Sequence, residues 1–372
     1  FRGEFTVAER TLTLRELNRA LLARQMLLER EALPVTAAVE KLVGMQAQIP
    51  RAPYMGLWTR LKDFRREDLA AAIADRRIVK ATLMRGTLHF FTVEDFARHL
   101  ATLRPLKARI ADGIRQMRGV TIDLEEMLGA VQQFIAEQPR SFKEISDFLT
   151  ARYPGVDVGA MRYPARLLIP LVQVPTDTRW SYPGSPRFAL AAQWIDHPLN
   201  TEGDLRDLFM RYLAAFGPAS VTDFQAWSGL TGVSAVLGEW RDELCVFRDE
   251  QRRTLYDLPD APLPGADTPA PVRFVAELDN LLIGHDDRRR VIADEYRMPA
   301  FAGNGRGSIT FLVDGFVRGV ATIEKNKSGA TLVIEPFEPI APSDRDALAE
   351  EGEGLLRFTE PDAKAYAVRF AD

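Results

Sequence analysis

The chain of 372 residues holds a single cysteine, Cys245. One thiol excludes an intramolecular disulfide, a cysteine-rich zinc site and an iron–sulfur cluster held by four cysteines of one chain. Histidine is nearly as scarce. His89, His99, His197 and His285 are scattered and show no H-x-x-x-H or H-E-x-x-H spacing, so no metal site is expected. No apolar run approaches the roughly 20 residues of a membrane span. Phe1 to Phe5 lack the shape of a signal peptide, and the chain reads as cytosolic. Nucleotide and hydrolase signatures are missing too. Gly303-Asn304-Gly305-Arg306-Gly307 lacks the Walker lysine and the helix that should follow, so a flexible loop is expected there. There is no G-x-S-x-G elbow. No cofactor is expected. Lysine is rare as well, with eight among 48 basic residues, and the net charge is −4. That balance excludes a surface coated in cations, but it leaves room for a local basic groove.

What is present is a repeated order of elements. Hydrophobic content of 46% and charged content of 27% are those of an ordinary globular chain able to bury a large core. Residues 11–104 predict a first unit. Its leucines from Leu12 to Leu28 mark an amphipathic helix, followed by helices over Ala37 to Gln48 and Arg66 to Asp75. Two strands, Ile78 to Met84 and Thr87 to Thr92, flank Arg85-Gly86. Three helices and a β-hairpin make a winged-helix layout. The pattern returns over 121–200, with helices Leu124 to Glu137, Phe142 to Tyr153 and Met161 to Leu171, and again over 201–256. A proline-rich linker is expected over 257–272. Beyond it the period changes to two, and 273–372 predict a β-rich domain with one late helix from Ser343 to Arg357. The fold class expected is α+β.

Few stretches carry chemistry. Gly44-Met45-Gln46-Ala47-Gln48-Ile49-Pro50 places two neutral amides two residues apart. On a regular helix they would lie about 200° apart, on different faces. Pro50 cannot continue a helix and biases Ile49 to extended geometry, so the pair is expected in a fraying last turn, where both could face one cavity. Each amide offers one acceptor and two donors and no charge, which suits holding a water or aiming a dipole. The alternative is two polar residues at a helix end. Lys325-Asn326-Lys327 forms a hairpin tip that either touches phosphates or is plain solvated surface. Arg85-Gly86-Thr87-Leu88-His89 follows the first wing strand, where His89 either lines a polar site or is a satisfied structural group. His285 to Arg290 reads as a surface or phosphate-facing run.

Four stretches together carry a resemblance. They are Leu-Arg-Glu-Leu-Asn-Arg-Ala-Leu-Leu-Ala-Arg-Gln near the start, Gly-Met-Gln-Ala-Gln-Ile-Pro, Arg-Gly-Thr-Leu-His, and Val-Asp-Gly-Phe-Val-Arg-Gly late in the chain. From about Thr11 onward the chain resembles the tandem winged-helix DNA glycosylases. More narrowly it resembles their crosslink-unhooking, azinomycin-resistance branch from antibiotic-producing actinobacteria. A related branch carries Gln-x-Asp at the motif, so Gln48 places this chain with Gln-x-Gln. The resemblance implies three winged helices and a β-domain forming a C-shaped channel for duplex DNA. It implies hydrolysis of the N-glycosidic bond of cationic N7-alkylguanine, unhooking of interstrand crosslinks, and self-resistance to a DNA-alkylating antibiotic. It places the catalytic roles on Gln46 and Gln48 and a groove-entering hairpin on Lys325 to Gly329. Arg51, Arg85, His89, Lys325, Asn326 and Lys327 are then expected to meet DNA. A monomer associated with the nucleoid is expected, with no membrane partner. The competing reading is a winged-helix DNA-binding regulator without catalysis; a third is a scaffold without DNA affinity.

Overall fold

The computed structural model describes residues 10–300 and 308–371; the loop expected at Gly303 to Gly307 and the first nine residues lie outside them. The architecture is mixed α+β. Helix Leu14–Arg24 opens with Thr13 and Glu16 in a reciprocal capping box, which satisfies amide donors at its N-terminus. Its leucines enter the core, and so do two of its arginines, Arg19 and Arg24. Those cations explain the proline-rich segment after Asp257. Prolines donate no hydrogen bond to a ladder, so their neighbours' carbonyls need other donors. Arg15 donates to the carbonyl of Ala266 (2.7 Å), Arg19 to that of Thr268 (2.6 Å) and Arg24 to that of Pro262 (2.9 Å). Arg24 also grips both oxygens of Asp257 at 2.7 Å. The segment is laid along the first helix.

The second helix is Val35–Lys41, not Ala37 to Gln48. Val43 (φ 51°) and Gly44 (φ 82°) reverse the chain, which then enters the short strand Met45–Gln46. Gly44 is required twice over. Its left-handed backbone disfavours a side chain, and a Cβ there would lie 2.1 Å from the ring of Phe91. Asn280 donates to the carbonyls of Leu42 (3.1 Å) and Gly44 (2.7 Å), filling the acceptors a helix end leaves open. Helix Ala52–Trp58, which the periodicity did not predict, follows with Pro53 in its first turn. Helix Arg66–Ala74 and strands Ile78–Thr82 and Leu88–Thr92 lie as expected. Helices Val93–His99 and Arg104–Met117 were not expected.

Two further helix groups follow. Leu124–Glu137, Phe142–Arg152 and Gly159–Leu168 precede strands Leu171–Gln173 and Arg187–Leu190. Leu205–Phe216, Val221–Ser228 and Val233–Val236 precede strands Cys245–Asp249 and Thr254–Asp257. The first two strand pairs share one six-stranded sheet, joined where Ala81 faces Val172. The third pair takes Thr11–Leu12 as a parallel neighbour. The last sheet holds five strands, Arg273–Val275, Ile309–Val313, Phe316–Asn326, Gly329–Pro336 and Tyr366–Phe370, covered by helix Pro342–Thr359. In Phe316–Asn326 burial alternates to Ala321 and then gives way to exposed or half-buried residues, so the hairpin tip projects past the sheet. Among the described residues no helix is long and apolar enough to cross a membrane.

The run from His285 to Arg290, expected as surface or phosphate-facing, is buried at its two ends, with Asp286 exposed and the three residues after it half-buried. His285 and Arg290 are buried, with the His285 ring bonded to the Phe216 carbonyl (2.9 Å) and Arg290 donating to the Pro218 carbonyl (2.9 Å). Asp223 accepts the backbone N–H of Asp286 at 3.0 Å. The charges of this run knit helix Val221–Ser228 to the C-terminal region.

Two predictions follow from this packing. Gly44→Ala adds left-handed strain to a clash with Phe91, a cost of about 2–5 kcal/mol, read as a lowered midpoint in thermal or urea melting. An unchanged midpoint would mean that the Gly44 turn is not as tight as described. The second concerns pH. Burial lowers His89 and His99 to about 3, and lowers His285 likewise, from an ordinary 6.5. The unfolded chain then binds protons that the folded chain refuses, so this stability is full above pH 6.5 and is lost as pH falls toward 3. Each histidine should contribute a slope approaching about 1.4 kcal/mol per pH unit below its ordinary value. Melting between about pH 7 and about pH 5 should therefore be less pH-dependent in His89→Gln than in the native chain.

Candidate active site

Extended backbone changes what the two glutamines can do. Strand Met45–Gln46 pairs antiparallel with Leu88–Thr92, Gln46 opposite His89 and Met45 opposite Phe90, and the N–H of Ala47 extends the ladder to the Leu88 carbonyl at 2.7 Å. Directly opposed residues share a face of a sheet. Gln46, His89 and Ala81 therefore line one face, while Met45, Phe90 and Lys80 pack into the opposite core. Residues two apart on extended chain point the same way. Gln46 and Gln48 do so, and the Gln46 Nε2 donates to the Gln48 Oε1 at 2.5 Å. The expected fraying helix turn is thus corrected: Gln46 ends a strand, Gln48 lies in the bend that follows it, and the two amides bond there. Gln46 is 9% exposed and Gln48 is open to solvent.

Behind Gln46 stands Arg85. Its Nη2 donates to the Gln46 Oε1 at 2.7 Å, and its Nη1 donates to the carbonyl of Trp227. A guanidinium has no acceptor, so the oxygen of the Gln46 amide must face Arg85 and its nitrogen must face Gln48. Burial, with a smaller contribution from Arg288, lowers the guanidinium to about 10, so it remains a cation at neutral pH. Burial, then Arg85, keeps His89 at about 3. Its ring is neutral, and Nδ1 donates to the Thr87 carbonyl at 3.0 Å. At 1% exposure His89 offers no surface to DNA, which corrects its expected role. It is a neutral wall beside Gln46.

The remaining candidates lie elsewhere. Arg51, partly exposed, pairs with the buried carboxylate of Glu277. Lys325 pairs with the Glu360 Oε2 at 2.5 Å while staying 57% exposed, and Arg179 stands 3.5 Å from the same oxygen. Asn326 accepts the backbone N–H groups of Ser328 (2.8 Å) and Gly329 (3.0 Å), so its side chain closes the hairpin turn. Lys327 is exposed. A cleft of 230 Å³ beside the tip is lined by Lys325, Lys327, Lys364, Glu360 and Asp362, among others. Sequence reasoning missed Asn280, Trp227, Glu360 and Lys364. Nothing local marks the first three, which reach the two sites from distant parts of the chain. Lys364 had a signal, as one of only eight lysines.

The arrangement supplies uncharged hydrogen-bonding groups at a solvent-facing edge, with a fixed cation behind them. It can hold a water and aim amide dipoles; the amides cannot serve as strong bases. The chain as a whole is similar to known proteins. The chain is 24% identical over 330 residues to the interstrand DNA cross-link repair glycosylase of Streptomyces sahachiroi, covering 84% of this chain and 88% of that protein. It superposes on the solved structure of the Streptomyces sahachiroi DNA glycosylase AlkZ with a TM-score of 0.81 at 21% identity, over 97% of this chain and all of that one. The family model described as DNA glycosylase AlkZ-like matches residues 39–358, which include both glutamines, Arg85 and the hairpin. The chain belongs to the AlkZ-like family of DNA glycosylases.

Proposed function

We propose that this DNA glycosylase hydrolyses the N-glycosidic bond of cationic N7-alkylguanine in duplex DNA, unhooks interstrand crosslinks made through that atom, and protects its host against a DNA-alkylating antibiotic. The observation that carries this reading is the bonded pair of neutral amides, Gln46 and Gln48, at an exposed edge. N7-alkylguanine already bears positive charge, so it departs with little help from an acid. Positive charge then grows on the deoxyribose. A preorganised amide carbonyl stabilises that charge, and an amide can orient the attacking water, as a glutamine does in GTP hydrolysis. A strong base is dispensable with such a leaving group, and uncharged normal bases should react poorly. A crosslinked base cannot rotate freely out of the helix, as most glycosylase substrates do. An open edge suits it better than a deep pocket.

In this reading residues 11–104, 121–200 and 201–256 act as three winged-helix units. Residues 273–372 complete a C-shaped channel around the duplex, and the protein works as a monomer on nucleoid DNA. The hairpin tip enters a groove, with Lys325 and Lys327 on phosphates and Arg51 nearby.

The test is single-turnover excision from a duplex carrying N7-methylguanine, followed by alkali to reveal abasic sites. Gln46→Ala and Gln48→Ala should each slow excision by roughly 10²–10³ with little change in fold or duplex affinity. Gln48→Glu keeps the size and the acceptor. It should retain more activity than Gln48→Ala if the carbonyl matters, and match it if the amide N–H does. Full activity in the double alanine variant would remove the catalytic assignment. Tight duplex binding by a native chain that excises nothing would favour the regulator. For the hairpin, Lys325→Ala with Lys327→Ala should reduce the log–log salt slope of binding by roughly 2. A fall near 1 would mean that Lys325 stays on Glu360 in the complex, and an unchanged slope would return both lysines to plain surface.

A further inference from the structure

Arg85 holds a backbone conformation that side-chain-bearing residues seldom adopt, φ 53° and ψ 13°. A tight loop fixes it. The N–H of Gly86 bonds the Leu83 carbonyl (3.1 Å), the N–H of Thr87 bonds that of Met84 (3.0 Å), and the N–H of Leu83 returns to the Thr87 carbonyl (2.9 Å). Gly229 packs against it, so that a Cβ there would sit 3.4 Å from the Arg85 Cα. Strain of this kind persists only where the surroundings over-determine it, and it gathers at functional sites. The side chain gives a second observation. Both acceptors of this largely buried cation are neutral oxygens, the Trp227 carbonyl and the Gln46 amide. Arg24 and Arg60 differ, each closing on both oxygens of an aspartate, while the buried Arg290 also ends on a backbone carbonyl but touches no glutamine. Arg85 uses its charge on an amide that could otherwise sit either way round.

We infer that Arg85 is a positioning residue for the glycosylase: its guanidinium, tethered to the Trp227 carbonyl, locks the Gln46 amide with its nitrogen toward Gln48 and so fixes the Gln48 amide at the exposed edge. The inference rests on the assignment of the chemistry to Gln46 and Gln48. Without the guanidinium, the two orientations of the Gln46 amide become similar in energy. In the flipped form two carbonyl oxygens face each other, and Gln48 must turn away. Charge-assisted bonds of this kind also polarise the next bond in the line. Arg85 acts entirely through Gln46 and Gln48, and it makes no phosphate contact of its own. That separates it from a DNA-binding arginine, which was its expected role.

The separating experiment is a double-mutant cycle. Arg85→Asn removes the guanidinium but keeps a residue that tolerates positive φ. Single-turnover excision from N7-methylguanine duplex at saturating protein, and duplex affinity, are measured for the native chain, Arg85→Asn, Gln46→Ala and the double variant. Arg85→Asn should slow excision about 10- to 100-fold, less than loss of a directly acting amide, with duplex affinity within about twofold of native. In the Gln46→Ala background the same change should slow it no further. Arg85→Lys, whose single amine cannot reach both acceptors, should fall between native and Arg85→Asn, and it carries the test if Arg85→Asn melts early. Equal slowing in both backgrounds, or a loss of affinity matching the loss of rate, overturns the inference while leaving the proposed function standing. A native protein that excises nothing overturns the proposed function and this inference with it.

Discussion

The pair between Arg60 and Asp279 is the joint on which the site depends. Both residues are buried, and the guanidinium meets the two carboxylate oxygens at 2.8 and 2.6 Å. Its other donors reach the carbonyls of Gly56 (2.8 Å) and Gln25 (3.0 Å), so one side chain ties two N-terminal segments to a residue more than two hundred positions later. Such a pair adds little net stability over apolar packing, yet losing one partner leaves a buried charge at a cost of about 3–5 kcal/mol. What it secures is position. Asp279 caps the short helix Asn280–Ile283, and the first residue of that helix holds the carbonyls of Leu42 and Gly44. Two residues after Gly44 stands Gln46. The orientation of the amide pair therefore depends on a chain of contacts that begins in the C-terminal half of the protein.

The same logic gives the arginine-rich composition a structural meaning. Arg15 and Arg19 pair with Asp314, in the turn between strands Ile309–Val313 and Phe316–Asn326. That turn and the first helix are two of the four stretches on which the family resemblance rested. The other two, around Gln46 and around Arg85, also meet each other. These stretches are the contacts that join distant parts of the chain. A guanidinium suits such junctions, because its several planar donors can satisfy a carboxylate and peptide carbonyls at once.

Much of the local structure was legible. Leu124–Glu137 falls where the periodicity put it, because an amphipathic stripe and an Asp N-cap are written in consecutive residues. The hairpins were legible from alternation and turn residues. The misreadings share a different cause. Pro50 was taken as the helix terminator, but Gly44 ends it, and what demands glycine there is the ring of Phe91 on another strand. The proline-rich segment read as a linker because its composition is that of one; arginines far upstream hold it in place. His285 to Arg290 read as surface because charge usually is, whereas Asp223, on another helix, draws it inward. At the site, the residue types were visible and their geometry was not. The two amides do converge, but from a strand end and the bend after it, not from a fraying helix turn.

A chain of net charge −4 that acts on a polyanion needs its cations kept local and available. The hairpin shows one way to do so under the proposed reading. Lys325 is mostly exposed while its partner Glu360 is 9% exposed. Such a contact orders the tip in the absence of DNA and can be exchanged for a phosphate. Glu360 would not be stranded by the exchange, since Arg179 stands 3.5 Å from it. Arg51, half-exposed, also pairs with a buried carboxylate, Glu277, but among the described residues no second cation backs that carboxylate as Arg179 backs Glu360. Asn326 has a different duty, holding the turn that carries Lys327, next to Lys325 at the strand end. Under the proposed reading the cations offered to DNA thus stand at the rim. Arg85, the cation nearest the amides, is bound to neutral oxygens and withdrawn from the exchange. That division keeps phosphate binding and amide orientation from competing for the same charge.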